Sequence, residues 1–310
     1  MVNILSAFKR NFTSFKKRYS KLRHIVPHPI RKKIPILRYY KSHLRKFIVP
    51  IKYESENVNI YHCCIQKTGS VWIGTVLSDP IVYKYSGLLV YPYNGKFRKT
   101  QMDKITHITK PYPPDTILSA FKGSYSNFKN DIPKNEGPQK AFFVTRDPRD
   151  LVVSWYFSTK KSHTARKGTR FYRIRKKLQD LPFKEGLKCV IDFYEKSRKF
   201  DMLRTWVPEN LNDDNIKMMR YEDFAGPNAY EVFRELFEFL DIKIPEDEFI
   251  QLVDSYSFKS LTGRKPGEEK KDSHLRSGTS GDWKKYFDEE LLQYFKNAED
   301  GLTKELGYNW

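Results

Sequence analysis

The sequence predicts an α/β fold, one domain with a central parallel sheet flanked by helices, on three observations. Apolar runs of strand length recur at 58–65, 116–122, 141–144 and 216–220. Helical apolar patterns alternate with them, as a parallel sheet covered on both faces requires. Two of the runs end in short polar loops that lead straight into a helix, the arrangement of P-loop-like domains. Those loops are 66–72, Gln-Lys-Thr-Gly-Ser-Val-Trp, and 145–150, Thr-Arg-Asp-Pro-Arg-Asp. Free amides and the positive dipole end of a helix favour an anion at such a junction. Each junction also carries a fixed cation, Lys67 or Arg146, so the pair predicts a ligand with two separated anionic groups.

In chain order, the first strand at 58–65 feeds the loop and a helix over 71–77. Pro111, Pro113 and Pro114 break the chain before the strand at 116–122. The strand at 141–146 is followed by a helix over 148–160, where Asp147 as N-cap and Pro148 at the first helical position are sound start signals. The stretch 161–180 is polar, strongly basic and poor in apolar periodicity, and reads as a mobile loop. Helices are expected at about 183–204, 229–240, 246–255 and 288–306, with the strand at 216–220 among them. Residues 259–282 are rich in Gly, Ser and Lys without strand or helix pattern, and loops of that size serve as lids or binding segments.

The net charge of +20 is concentrated at one end. Residues 1–53 hold 15 Lys or Arg and no acidic residue, which leaves +5 for the other 257 residues. Leu5, Phe8, Phe12, Phe15, Tyr19 and Leu22 recur at three- and four-residue steps among lysines and arginines. We divide the chain into a basic, helical N-terminal extension over 1–57 and an α/β domain over 58–310. The extension reads either as a packing element or as an amphipathic helix, residues 1–25, on an anionic membrane surface. Its aromatics form a helix stripe rather than spaced stacking platforms, so nucleic acid is not expected as a partner. No apolar run is long enough to cross a bilayer and no signal peptide is recognisable, which predicts a cytoplasmic protein, at most peripheral to a membrane. Cys63, Cys64 and Cys189 lack any CxxC or zinc spacing and read as reduced thiols, with no metal.

Lys67-Thr68-Gly69-Ser70 is not a Walker A loop, because the lysine precedes the glycine. Four ordered motifs are more specific than any one of them: the 66–72 loop; Arg146-Asp147-Pro148-Arg149-Asp150 with Ser154; Tyr221-Glu222-Asp223-Phe224; and the run from Arg276-Ser277-Gly278 to Trp283-Lys284. Together they resemble the cytosolic-type sulfotransferases, which use 3′-phosphoadenosine 5′-phosphosulfate (PAPS) and release PAP. The resemblance covers about residues 58–305. It implies that Lys67, Thr68, Gly69, Ser70 and Val71 hold the 5′-phosphosulfate, and that Trp72, Tyr221 and Phe258 lie around the adenine. It likewise implies that Arg146 and Ser154 grip the 3′-phosphate while Arg276, Ser277 and Gly278 close over it. Lys67 is the expected electrophilic catalyst, since sulfuryl transfer follows the logic of phosphoryl transfer, where positioning and charge stabilisation dominate.

Two departures stand out. The family places its general base in Lys-Thr-His at a strand end, and here Ser124 stands where histidine is expected, in 121–125, Phe-Lys-Gly-Ser-Tyr. His107, in Ile-Thr-His, is our first candidate for the base, followed by His163, Tyr125 or a carboxylate. Ser277 stands where the family has lysine, which leaves Arg276 to carry more of the phosphate charge. The acceptor is an unidentified hydroxyl or amine on a small molecule, a carbohydrate or a lipid, with loops 83–115 and 158–182 expected to shape its site. Competing readings are an ATP-dependent P-loop kinase-like transferase and a non-catalytic binding protein on a degenerate scaffold.

Overall fold

The computed structural model describes residues 49–92, 111–162 and 167–310. The N-terminal stripe and both candidate histidines, His107 and His163, lie outside them. Five strands form one all-parallel sheet in the order β2-β3-β1-β4-β5, with β1 Asn59–Cys64, β2 Leu89–Pro92, β3 Thr116–Phe121, β4 Gln139–Thr145 and β5 Ile216–Arg220. Every residue of β1 is buried, as expected of a central strand covered on both faces.

Side chains of β1 and β4 alternate between two cores. Tyr61, Cys63, Ala141 and Phe143 join one; Ile60, Phe142 and Val144 join the other. Helix α1 (Ser70–Leu77), which follows β1, packs Ile73, Val76 and Leu77 into the second core with α9 (Ala229–Phe239) and α10 (Glu246–Ser255). Helix α4 (Pro148–Phe157), which follows β4, packs Leu151, Val152 and Val153 into the first, with α6 (Phe183–Lys196) and α12 (Glu289–Glu299). From β1 the chain runs outward to β2 and β3; from β4 it runs the other way to β5. The adjacent strands β1 and β4 thus form the topological switch point, where ligands of open α/β sheets bind beyond the strand ends. No helix among the described residues is long and apolar enough to cross a membrane.

Several elements differ from the sequence expectation. The basic stretch read as a loop contains α5, Arg170–Asp180, capped by the Thr169 hydroxyl and held to the core by Phe171, Ile174 and Leu178. The helix expected over 183–204 breaks into α6 and α7 (Lys199–Arg204) at Arg198, and that over 288–306 into α12 and α13 (Leu302–Glu305) at Asp300. Both break residues have left-handed backbone, φ 52° and 51°. Short helices α2 (Pro80–Lys84), α3 (Tyr125–Asn130), α8 (Tyr221–Phe224) and α11 (Phe258–Thr262) complete the set. Residues 52–57 are bonded into the body: Lys52 N–H donates to the Lys84 carbonyl at 2.7 Å, and the Tyr53 hydroxyl to Asp241 at 2.7 Å.

Candidate functional site

The loop after β1 is shaped by its own bonds. The Thr68 hydroxyl donates to the Ile65 carbonyl at 3.1 Å and is fully buried, so Thr68 pins the turn rather than lining the cavity beside it. Lys67 and Gly69 both have left-handed backbone, φ 79° and 73°, and Gly69 caps α1 without any side-chain acceptor. The first helical bond runs from Ile73 N–H to the Gly69 carbonyl at 3.0 Å, which leaves the preceding amides of α1 as donors for an anion. Only a glycine fits at 69, because a Cβ there would lie 2.9 Å from the Tyr221 ring.

A cavity of about 560 Å³ opens at this turn, lined by Gln66, Lys67, Gly69, Ser70, Val71 and Trp72 from the loop and helix start. Arg146 and Ser154 line it from the β4 side, Tyr221 from the end of β5, and Phe258, Arg276, Ser277 and Gly278 from the C-terminal segment. The structure therefore gathers around one cavity the donor-site residues named from sequence, apart from Thr68, while the candidate bases His107 and His163 lie outside the described residues.

Arg146 ties the two loops together. Its Nη1 donates to the Lys67 carbonyl at 3.2 Å, its guanidinium lies 4.3 Å from the Tyr221 ring centre, and Asp150 is an ion-pair partner at 3.7 Å. Its buried Nε has no partner among the described residues, a donor left for a ligand. Burial, followed by the charges of Arg146, Lys122 and Arg276, pulls the Lys67 ammonium down to about 8. Trp72 is fixed by its Nε1 bond to the Tyr256 carbonyl at 2.8 Å and meets Tyr221 edge-on.

The C-terminal segment is ordered by internal bonds, not an open loop. Gly267 N–H reaches the Ser277 carbonyl at 2.8 Å, and Lys270 N–H the Arg276 carbonyl at 2.9 Å. Arg276 pairs with Glu269 and Asp282, each at 2.6 Å. The Ser277 hydroxyl also donates to Asp282, at 2.7 Å, so serine at this position contributes packing and no charge. Buried Asp150 accepts from Gly281 N–H at 2.6 Å and Trp283 N–H at 2.9 Å, joining the segment to the start of α4.

Ser124, at the position expected to hold a base, is the N-cap of α3: its hydroxyl accepts from Asn127 N–H at 3.1 Å. Tyr125 lies off the cavity, with its ring on Trp206 at 5.2 Å. Asp254 is the carboxylate among the described lining residues, and the Tyr230 hydroxyl donates to it. Two lining residues were missed in sequence. Lys122, just past β3, faces the cavity near Lys67, and its only signal was the Phe-Lys strand end. His274 lines the lid side, in a segment without periodicity. Cys63, Cys64 and Cys189 are free thiols, and burial pushes Cys64 up to about 11. Among the described residues no group of three or more His, Cys, Asp or Glu could hold a metal ion.

Comparison with known proteins identifies the family. The family model for the sulfotransferase domain matches residues 130–307. Sulfotransferase 6B1 of Mus musculus is 21% identical over 270 residues, spanning 81% of this chain and 79% of its own. The flavonol sulfotransferase-like protein of Flaveria bidentis is 22% identical over 273 residues, spanning 80% and 82%. Mouse sulfotransferase SULT7A1, solved in complex with PAP, shares the fold with a TM-score of 0.52 at 16% identity, over 81% of this chain and 90% of that one. The chain belongs to the sulfotransferase family, enzymes that take a sulfuryl group from PAPS.

Proposed function

We propose that the cavity binds PAPS, with Lys67, Thr68, Gly69, Ser70 and Val71 around the phosphosulfate and Trp72, Tyr221 and Phe258 around the adenine. Arg146, Ser154, Arg276, Ser277 and Gly278 then hold the 3′-phosphate. The observation that carries this reading is the Arg146–Lys67 carbonyl bond, which sets two cationic poles at a fixed separation in one cavity. The unpartnered Arg146 Nε and the lowered Lys67 ammonium both favour an arriving anion. Solved mouse SULT7A1 carries PAP, which supports the same ligand here.

Bound there, the donor supplies an activated sulfuryl group whose leaving oxygen gains negative charge as the bond breaks. Lys67 places its ammonium at that oxygen, the α1 amides complement the phosphate, and Lys122 adds a second cation from β3. The cations and amides supply the charge that a metal supplies in P-loop kinases. His107 remains the proposed general base for the acceptor hydroxyl or amine. The acceptor is proposed to be a small molecule, carbohydrate or lipid; the Flaveria bidentis relative is named for a flavonol. Residues 1–25 are proposed to touch anionic membrane.

The test is a thermal shift with PAP, compared with ATP and magnesium, together with turnover of Lys67→Ala. Stabilisation by PAP alone and a loss on the order of a hundredfold or more in turnover are expected. Magnesium-dependent stabilisation by ATP, or full activity of the variant, refutes the reading.

A further inference from the structure

Several cations elsewhere on the body are paired: Lys84, Lys129, Lys184, Lys188, Arg204 and Arg234 each meet a carboxylate within 3.0 Å. The surface around α5 is different. Lys160, Lys161, Lys167, Arg170, Arg173, Lys176 and Lys177 fall within 18 residues, and among the described residues none has a carboxylate at ion-pair distance. The few bonds they make go to neutral groups: Lys160 to the Tyr156 hydroxyl at 2.9 Å, Arg170 to the Ser197 hydroxyl at 3.0 Å. So many like charges side by side weaken the fold, and a negatively charged partner would relieve them.

This surface is continuous with the cavity. Phe171, the second residue of α5, lines the cavity with Trp155, Ser158 and Thr159. Arg175 Nε donates to the Thr159 carbonyl at 2.7 Å and seats the helix on that rim. At the inner end, buried Lys199 donates to Gln66 Oε1 at 2.9 Å, and Gln66 lines the cavity beside Lys67. Burial, then the charges of Arg170 and Lys122, lowers Lys199 to about 8, so these groups share one field. A positive track runs from the outer face of α5 through Arg170, Lys199 and Lys122 to Lys67.

We infer that the acceptor is an anionic glycan, a sugar chain bearing sulfate or carboxylate groups, which lies along α5 and presents a hydroxyl to the cavity beside Lys67 and Lys122. The inference rests on the sulfuryl-transfer reading of that cavity. A chain suits the helix, whose 11 residues span about 16 Å, long enough to meet several anionic groups at once. A membrane suits it less: Phe171, Ile174 and Leu178 pack inward, so the outer face offers charge without apolar residues to insert.

Hydrogen exchange of the full chain with a heparin-derived hexasaccharide, with maltohexaose and with phosphatidylserine vesicles tests this. PAP stabilisation measured on the same samples reports separately on the donor site. The hexasaccharide should protect 158–180 and maltohexaose should not. The triple variant Arg173→Glu, Lys176→Glu, Lys177→Glu should lose about tenfold or more in hexasaccharide affinity, with PAP affinity unchanged. Protection confined to residues 1–48, equal protection by maltohexaose, preference for the vesicles, or unaltered affinity of the variant overturns the inference. Loss of the PAP response in the wild type would instead refute the donor reading.

Discussion

Lys67 is the group proposed to carry the charge in the reaction, and its surroundings oppose that charge. Its ammonium is held at about 8 by burial and by Arg146, Lys122 and Arg276. About nine-tenths of the chains then carry the charge at pH 7 and about one-tenth at pH 9. If the 5′-phosphate of PAP binds the ammonium form, the dissociation constant should rise about tenfold between pH 7 and pH 9. The PAP phosphates, with a second pKa of about 6, are at least about nine-tenths ionised across that range and add little slope. Binding above pH 8 should also take up about one proton, read in calorimetry as a binding enthalpy that varies with the ionisation heat of the buffer. Lys67→Arg keeps a cation at all these pH values and should flatten the profile. Lys199, lowered to about 8 chiefly by burial, reaches the cavity through its bond to Gln66, so Lys199→Met is the control and should retain most of the slope. A flat wild-type profile without proton uptake, or an unchanged slope in Lys67→Arg, would refute the assignment.

Three further outcomes are expected. Gly278→Ala places a Cβ 2.3 Å from the Phe258 ring at φ +66°, so calorimetry should show PAP binding about tenfold weaker for a stability loss of about 1–3 kcal/mol. Arg146→Lys removes the planar fork that spans the Lys67 carbonyl and the Tyr221 face, and should weaken PAP far more than it slows single-turnover transfer; equal effects on both would count against a phosphate-binding role. His62, fully buried and bonded to the Ser119 hydroxyl at 3.0 Å, is lowered to about 3 by burial and then by Lys122. The unfolded chain binds this proton below about 6.5, so stability should be lost as pH falls from there toward 3, and the melting temperature of His62→Asn should fall less steeply over that window.

Much of the site was legible because the residues that build it are local. Gln66 to Trp72 and Arg146 to Asp150 each follow a buried strand directly, and their loop–helix chemistry is written in consecutive positions. What the sequence hid was long-range or masked by charge. In α5 the apolar residues Phe171, Ile174 and Leu178 have helical spacing, but five cations and Asp180 among its 11 residues conceal it, and the stretch reads as loop. Leu89–Pro92 is too short to stand out as a strand, and it is defined by its ladder with β3. Arg198 follows its helix in left-handed backbone without the glycine that usually announces it. Lys122 reaches the cavity because β3 lies beside β1, a neighbourhood that only sheet order reveals. Ser124 marks a lost histidine in sequence and a helix cap in space.

The Asp150 carboxylate gives the C-terminal segment a second foothold. At one end, just before α11, the Tyr256 carbonyl accepts from Trp72 Nε1 at 2.8 Å; at the other, the amides of Gly281 and Trp283 sit on Asp150, one helical turn from Arg146. A strap fastened at both ends has its ordering entropy settled when the chain folds, so little remains to be lost when the nucleotide arrives. Donor exchange then becomes a matter of flexing the span between the two anchors, while the anchors themselves keep the distance between lid and phosphate turn constant through each catalytic cycle.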